Sequence, residues 1–256
     1  MPFATRKTNV EVPLVGVAVH NGHELRPEVE ANMVLDEATR LREEDPHTGI
    51  LATRLPSSIV VHRSRFEVDL NRPRDEAVYL GPDDAWGFQI WDAKPVLDIV
   101  AESLDQYDHF YAALGELLDS LVLRHGGFVL YDIHSYNHRR DGAAAAPAPE
   151  DENPELNLGT GSLPPKWKSV AEVFLATALE AGIDARENVK FEGRQVAAWV
   201  HEQFGDVGCA LAVEFKKSFM DEWNDEIFPE ELDRLGAFLE ASVDPVLATW
   251  HTNVSE

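Results

Sequence analysis

Apolar residues along this chain recur at two alternating spacings, one strand-like and one helical. Val12–His20 (VPLVGVAVH) is a β-branched run of the kind found in buried strands, and it closes on polar residues. From Pro27 to Glu43 the spacing turns helical, with Pro27 suited to a first helical position. Ser58–His62 and Phe66–Leu70 read as strands. Between Lys94 and Arg124, the residues Val96, Ile99, Val100, Leu104, Tyr107, Phe110, Tyr111 and Leu114 stand three or four apart, which predicts a long amphipathic helix. Gly126-Gly127 stops it, and Phe128–His134 predicts another buried strand. Helices are expected at Ser169–Glu180 and Gly193–Phe204, a strand at Gly208–Phe215, and a closing helix at Glu230–Trp250. Such alternation predicts an α/β fold, a parallel or mixed sheet covered by helices on both faces. No repeat or composition shift divides the chain, so residues 1–256 are expected to form a single domain. The segment Asp141–Glu155 (DGAAAAPAPEDENPE) is too rich in Ala, Pro and acids for a strand and reads as a surface loop or a lid.

Composition narrows the function. The chain has 256 residues and a formal net charge of −24, with seven Lys against fifteen Arg. That field disfavours nucleic acid and anionic membranes as partners, because both need a basic footprint. High-salt adaptation and ordinary surface acidity both account for it. The lone cysteine, Cys209, excludes an internal disulfide framework and a Cys-rich zinc site. The N-terminus lacks an apolar signal-like stretch, and no run of about 18 apolar residues occurs, so a cytoplasmic protein is expected. A small anionic substrate would need a local cationic pocket inside the negative field.

Three expected strands end on residues able to bind metal or move protons: His20-Asn21-Gly22-His23-Glu24, Asp132-Ile133-His134-Ser135, and Glu214. In open α/β sheets, ligands bind beyond the carboxyl ends of strands, so these residues are expected to converge. A catalytic zinc needs three protein ligands and one open position. His20 and His23, three residues apart in a turn, and His134 are the candidate ligands for Zn²⁺; Glu24 competes with His23. Asp69 and Asp132 are candidates to orient the imidazoles. Glu214, a carboxylate at the end of an apolar strand, is the candidate base. Any single histidine here also has a plain structural reading. Arg63, Arg65, Arg72 and Arg74 crowd twelve residues. They read either as surface ion pairs or, with Asn71-Arg72 directly after an apolar run, as a carboxylate-binding site, since the guanidinium fork matches a carboxylate.

Taken in order, these segments resemble the N-formylglutamate amidohydrolase family, itself similar to the zinc carboxypeptidases. His20-Asn21-Gly22 followed by Pro27 is similar to the family's His-Ser-Gly turn, and Arg65-Phe66-Glu67-Val68-Asp69-Leu70-Asn71-Arg72-Pro73 to its Arg-x-x-x-Asp-x-Asn-Arg-Pro segment. Asp132-Ile133-His134-Ser135, Asn157-Leu158-Gly159-Thr160, Phe191-Glu192-Gly193, Glu214 and Phe219-Met220-Asp221-Glu222 continue the resemblance. The chain departs at His23, where the carboxypeptidases carry Glu, at Arg194 in place of a second Gly, and at Phe215-Lys216-Lys217.

The resemblance implies a three-layer α/β sandwich with a mixed central sheet, zinc-carboxypeptidase-like, formed as one catalytic domain. It implies zinc-assisted hydrolysis of a small anionic N-acyl amino acid, most simply N-formyl-L-glutamate to formate and L-glutamate. In that reading His20, His23 and His134 hold the metal and Glu214 is the base. Asn71 and Arg72 take the α-carboxylate, with Thr160 also among the substrate-binding residues. Arg63 or Arg65 meets the oxyanion or a second carboxylate, and Arg65 is counted with Glu214 as catalytic. A deacylase for another N-acyl amino acid, a small zinc carboxypeptidase and a non-catalytic binding module are the rival readings.

Overall fold

The computed structural model describes residues 3–255. Its elements in chain order are β1 (Ala4–Lys7), β2 (Leu14–Ala18), α1 (Pro27–Glu30), α2 (Glu37–Glu43), α3 (Thr48–Thr53), β3 (Ser57–Val61), α4 (Leu97–His125), β4 (Phe128–Tyr136), β5 (Leu156–Gly159), α5 (Lys168–Glu180), β6 (Ala185–Glu187), α6 (Gln195–Phe204), β7 (Gly208–Lys216), β8 (Met220–Asp221), β9 (Glu226–Ile227) and α7 (Pro229–Ser255). Seven strands form one sheet in the order β1-β3-β2-β4-β7-β5-β6, and β8 pairs with β9 separately. Strands β3, β2, β4 and β7 run parallel; β1 and β5 are antiparallel to their inner neighbours, and β6 follows β5 in parallel. The sheet is therefore mixed.

Side-chain alternation builds the layers. Val129, Tyr131 and Ile133 of β4, with Leu211, Val213 and Phe215 of β7, face one core that includes Leu51, Phe174 and Phe238 of α3, α5 and α7. Phe128, Leu130, Ala210 and Ala212 point the other way, into a core completed by Leu114, Leu118, Val196 and Val200 of α4 and α6. The result is a three-layer α/β sandwich, as the spacing predicts. Its sheet ends in short strands bearing charge: β1, mostly exposed, carries Arg6 and Lys7, and the three-residue β6 carries Arg186. Among the described residues no helix is long and apolar enough to cross a membrane.

Two expected elements change form. Pro27–Glu43 is not one helix: Met33 bridges to Trp91, and a new start at α2 is capped by Asp36, whose carboxylate accepts from Thr39 N at 2.9 Å. Phe66–Leu70 is not a strand, although its apolar residues alternate. Glu67 N and Val68 N donate to Ser64 O, and Asn71 N donates to the Asp69 carboxylate at 2.9 Å, so side chain and turn take the hydrogen bonds a sheet would use. Phe66 joins Val29, Tyr79, Ala85, Ile90, Trp91 and Ile99 in a third small core, which fixes this segment.

The topology places one crevice. After β2 the chain reaches β3 through α3, packed on one face of the sheet; after β3 it returns to β4 through α4 on the other face. The neighbours of β2 therefore arrive over opposite faces, and the gap between the carboxyl ends of β2 and β4 is a topological switch point.

Candidate active site

His20 lies just past β2, at this switch point, and His134 lies inside β4. Their rings meet edge to face with centroids 4.8 Å apart, and both side chains are buried. The register of β4 and β7 sets His134 opposite Glu214. On β4, Asp132 and His134 continue the parity of Phe128 and Leu130, so they share a face; Glu214 does the same after Ala210 and Ala212 on β7. Strand geometry alone thus brings three chemistry-bearing side chains together.

His20 is joined from a loop by one more. Asp45, two residues past α2, donates its backbone N–H to His20 O at 2.9 Å and turns a carboxylate oxygen toward both imidazoles. Asp45 Oδ2 is 2.9 Å from His134 Nδ1 and 3.4 Å from His20 Nδ1. The far edges of the rings are held by other acids: His20 Nε2 donates to Asp69 Oδ1 at 2.6 Å, and His134 Nε2 to Asp132 Oδ1 at 3.0 Å. Asp69 is itself tied to Arg65 Nη2 at 2.8 Å and to the Tyr79 hydroxyl.

This geometry fits a divalent cation. With the Nε2 protons directed at Asp69 and Asp132, the protons that the Nδ1 atoms share with Asp45 are the ones a cation would displace, and the two Nδ1 atoms and Asp45 Oδ2 would then turn three electron pairs toward it. His20, Asp45 and His134 offer ligand atoms that all lie within 4.8 Å of each other. Two imidazoles and one carboxylate are a donor set that zinc accepts, and a carboxylate behind each imidazole is the usual second support. The other oxygen of that support, the buried Asp132 Oδ2, has no hydrogen-bond partner among the described residues.

Electrostatics follow from burial and these pairings. Burial would raise the pKa of Asp45, but hydrogen bonds from His134 and His20 hold it far below the usual carboxylate range. Asp69 is likewise lowered, its burial outweighed by Arg65 and His20. Burial would depress His134, yet Asp132 and Glu214 raise it well above an ordinary imidazole. Glu214 goes the opposite way to the aspartates: burial pushes its carboxyl up to about 7, against the attraction of His134. It is the one acid of the group poised to exchange a proton near neutral pH.

Lys217 holds the loop. Its buried ammonium donates to Arg42 O at 2.7 Å, Glu44 O at 2.6 Å and Asn137 Oδ1 at 2.8 Å, tying the approach to Asp45 to the segments after β4 and β7. All three of its protons are used. Burial lowers its pKa, opposed by Asp45, Glu43 and Glu222.

His23 does not join the cluster. A Cβ on Gly22 would fall 2.1 Å from the His62 backbone, so only glycine lets the two segments pass this closely, and the next residue, His23, is not among those that line the cavity. Its Nδ1 donates to Glu44 Oε2 at 2.5 Å and its Nε2 accepts from Arg40 Nη2 at 3.0 Å, so both nitrogens are committed. Glu24 bridges to Arg63 through its backbone and takes no part in the cavity wall. The third donor beside His20 and His134 is Asp45.

The arginine-rich segment divides. Arg65 lines the cavity with His20, Asp45, Asn71, His134 and Glu214, under the half-exposed ring of Trp86 at 4.9 Å. Asn71 faces the cavity while its Oδ1 accepts from Val196 N at 3.0 Å. Arg72 faces a neighbouring groove, its guanidinium 4.6 Å from the Tyr79 ring. Arg63 sits 3.5 Å from Glu67, and Thr160 is spent on Glu187 and Asn188; neither lines the cavity. Asp45, Lys217, Trp86, Arg140 and Arg194 do line it, and sequence reasoning did not select them for the site. Of these, Arg194 and Lys217 did show as departures from the family pattern.

Similarities to known proteins accord with this layout. The N-formylglutamate amidohydrolase family profile matches residues 12–220. An N-formylglutamate deformylase of Pseudomonas aeruginosa is 29% identical over 215 residues, covering 72% of this chain and 73% of that protein. The crystal structure of an N-formylglutamate amidohydrolase from Ralstonia eutropha shares the fold with a TM-score of 0.77 at 18% identity, covering 93% of this chain and 95% of that one. A gene product of Agrobacterium tumefaciens does so with a TM-score of 0.70 at 16% identity, covering 96% and 93%. The profile runs from the approach to β2 through to β8 and takes in every residue of the cluster, so the chain belongs to the N-formylglutamate amidohydrolase family.

Proposed function

We propose that this chain hydrolyses N-formyl-L-glutamate to formate and L-glutamate. The observation that carries the proposal is the convergence of His20, Asp45 and His134 beside Glu214 at the switch point, in a chain of this family. His20 and His134 through Nδ1, and Asp45 through Oδ2, would hold a zinc ion. Bound there, zinc would supply a Lewis acid that polarises the formyl carbonyl and brings the acidity of water toward neutrality.

The protein's own groups do the rest. Glu214, with its raised pKa, takes the proton of the attacking water and returns it to the nitrogen of the leaving amino acid. Arg65 is held by Asp69 at 2.8 Å and screened on one side by Trp86, so its guanidinium points a fixed positive charge at the developing oxyanion. Arg140 at the rim, 3.4 Å from Glu43, and the Asn71 amide offer donors for the α-carboxylate. Asp69 and Asp132 keep the imidazoles in one tautomer and one orientation.

The test is formate release from N-formyl-L-glutamate, together with elemental analysis of protein purified without added metal. About one zinc per chain and turnover that a chelator abolishes are expected. Turnover that persists in metal-free protein would remove zinc from the reaction, and no release from zinc-loaded protein would remove the substrate.

A further inference from the structure

We propose that Arg194 gives the site a second anion position, so that the preferred substrate carries a negative group at its side-chain end. This rests on the amidohydrolase reading above and assigns the residue that selects among N-acyl amino acids. Arg194 lies between two hollows, lining both the catalytic cavity and the adjoining groove that holds Arg72, Glu192 and Gln195. Its backbone is firmly placed. Gly193, just before it, has φ +91° and is packed near Ala212 of β7, and Gly159 of β5 presses on the Glu192–Gly193 backbone so closely that a Cβ there would fall 2.4 Å from Gly193 N. Arg194 O then accepts from Ala198 N at 3.0 Å as α6 begins.

The side chain, by contrast, is uncommitted. Thirteen of the fifteen arginines have a carboxylate oxygen within 4.0 Å. Among the described residues only Arg6, on the edge strand β1, and Arg194 have none, and Arg194 alone of the two lines the catalytic cavity. In a chain of net charge −24, an unpaired guanidinium at the mouth of a catalytic cavity is a cation left for the ligand. The inner arginine, Arg65, is already bound to Asp69 and cannot answer a second carboxylate equally well. The chemistry selected is a carboxylate matched by a guanidinium fork, and therefore an N-acyl derivative of a dicarboxylic amino acid over its neutral amide.

The experiment compares N-formyl-L-glutamate with N-formyl-L-glutamine on wild type, Arg194→Met, Arg194→Lys and the charge control Arg6→Met. Wild type and Arg6→Met should favour the glutamate substrate at least tenfold in kcat/KM. Arg194→Met should lower kcat/KM for the glutamate substrate by roughly ten- to a hundredfold, mainly through KM, while the glutamine substrate stays within about twofold; Arg194→Lys should fall between. Equal losses on both substrates, or none, overturn the assignment. Should wild type split neither substrate, the amidohydrolase reading fails and Arg194 is judged by binding alone, with glutarate and its monoamide titrated by tryptophan fluorescence. Loss of the glutarate preference in Arg194→Met then supports the anion position, and a preference that survives, or is absent from wild type, overturns it.

Discussion

The site is assembled from two kinds of backbone. Its β4–β7 half places Asp132, His134 and Glu214 by strand register, with every residue from Phe128 to Phe215 on the two strands buried. Its Asp45 half is a loop between two short helices, held by a lysine ammonium, a backbone hydrogen bond to His20 O and the His23–Glu44 contact. Strand residues are positioned by the sheet and need no further help. Loop residues keep their place only while specific polar partners do, so the loop half is where function is most easily lost without unfolding.

That contrast is broken most severely at Asp45 itself. Asp45→Ala should abolish metal retention and lower activity by about 10³-fold or more, whereas His23→Ala, which touches only the support of the loop, should cost roughly 10- to 100-fold in metal affinity. Equilibrium dialysis against a zinc chelator ranks the two, and the opposite ranking would return the ligand role to His23. On the strand half, Glu214→Gln should fold and hold zinc as wild type does, yet lose kcat by about 10²–10⁴-fold. Loss of zinc from that variant would make Glu214 a ligand and not a base.

Lys217→Met sharpens the comparison by removing the loop's anchor while leaving both strands untouched. Three acceptors lose their donor, so stability should drop by about 1–3 kcal/mol in urea unfolding, and zinc affinity by roughly tenfold at a temperature where the variant is fully folded. A stability loss without any change in zinc affinity would confine Lys217 to holding the fold.

The smallest effect belongs to a histidine far from the loop. His201 accepts from Ala210 N at 3.0 Å through Nε2, and burial lowers its pKa to about 4 from an ordinary 6.5. The unfolded chain therefore takes up this proton before the folded one does. The stabilisation is complete above about pH 6.5 and declines as pH falls toward 4. Between pH 7.5 and 5, wild type should lose about 1–2 kcal/mol more unfolding free energy than His201→Gln. Parallel pH profiles would remove His201 from the account.

The same division decides what the sequence discloses. Buried strands such as Phe128–Tyr136 and Gly208–Lys216 stand out because continuous β-branched and apolar runs have few other uses, and polar residues at their ends mark the crevice. His20 and His134 were legible for that reason. Asp45 was not, because one carboxylate among 46 acidic residues carries no periodic signal and its importance arises only when α2 and α3 fold the loop against His20. His23 stands outside the cluster because Glu44 and Arg40 take its two ring nitrogens, partners that spacing cannot report. Phe66–Leu70 shows the converse, a period of two whose hydrogen bonds go to Ser64 O and the Asp69 carboxylate. Edge strands β1 and β6 are too short and too charged to leave a pattern.

Those two margins govern how copies of the protein meet at high concentration. A sheet grows by lending unpaired backbone groups to a neighbour's strand, and this one ends in four residues on one side and three on the other. An incoming copy of β1 laid along β1 would bring Arg6 close to its own counterpart, while the bodies behind carry a net charge of −24 each. Stacking through sheet edges is thus opposed at short range by cations and at long range by anions. Dissolved protein should remain dispersed at low salt, and ionic strength, more than protein concentration, should be the variable that brings molecules together.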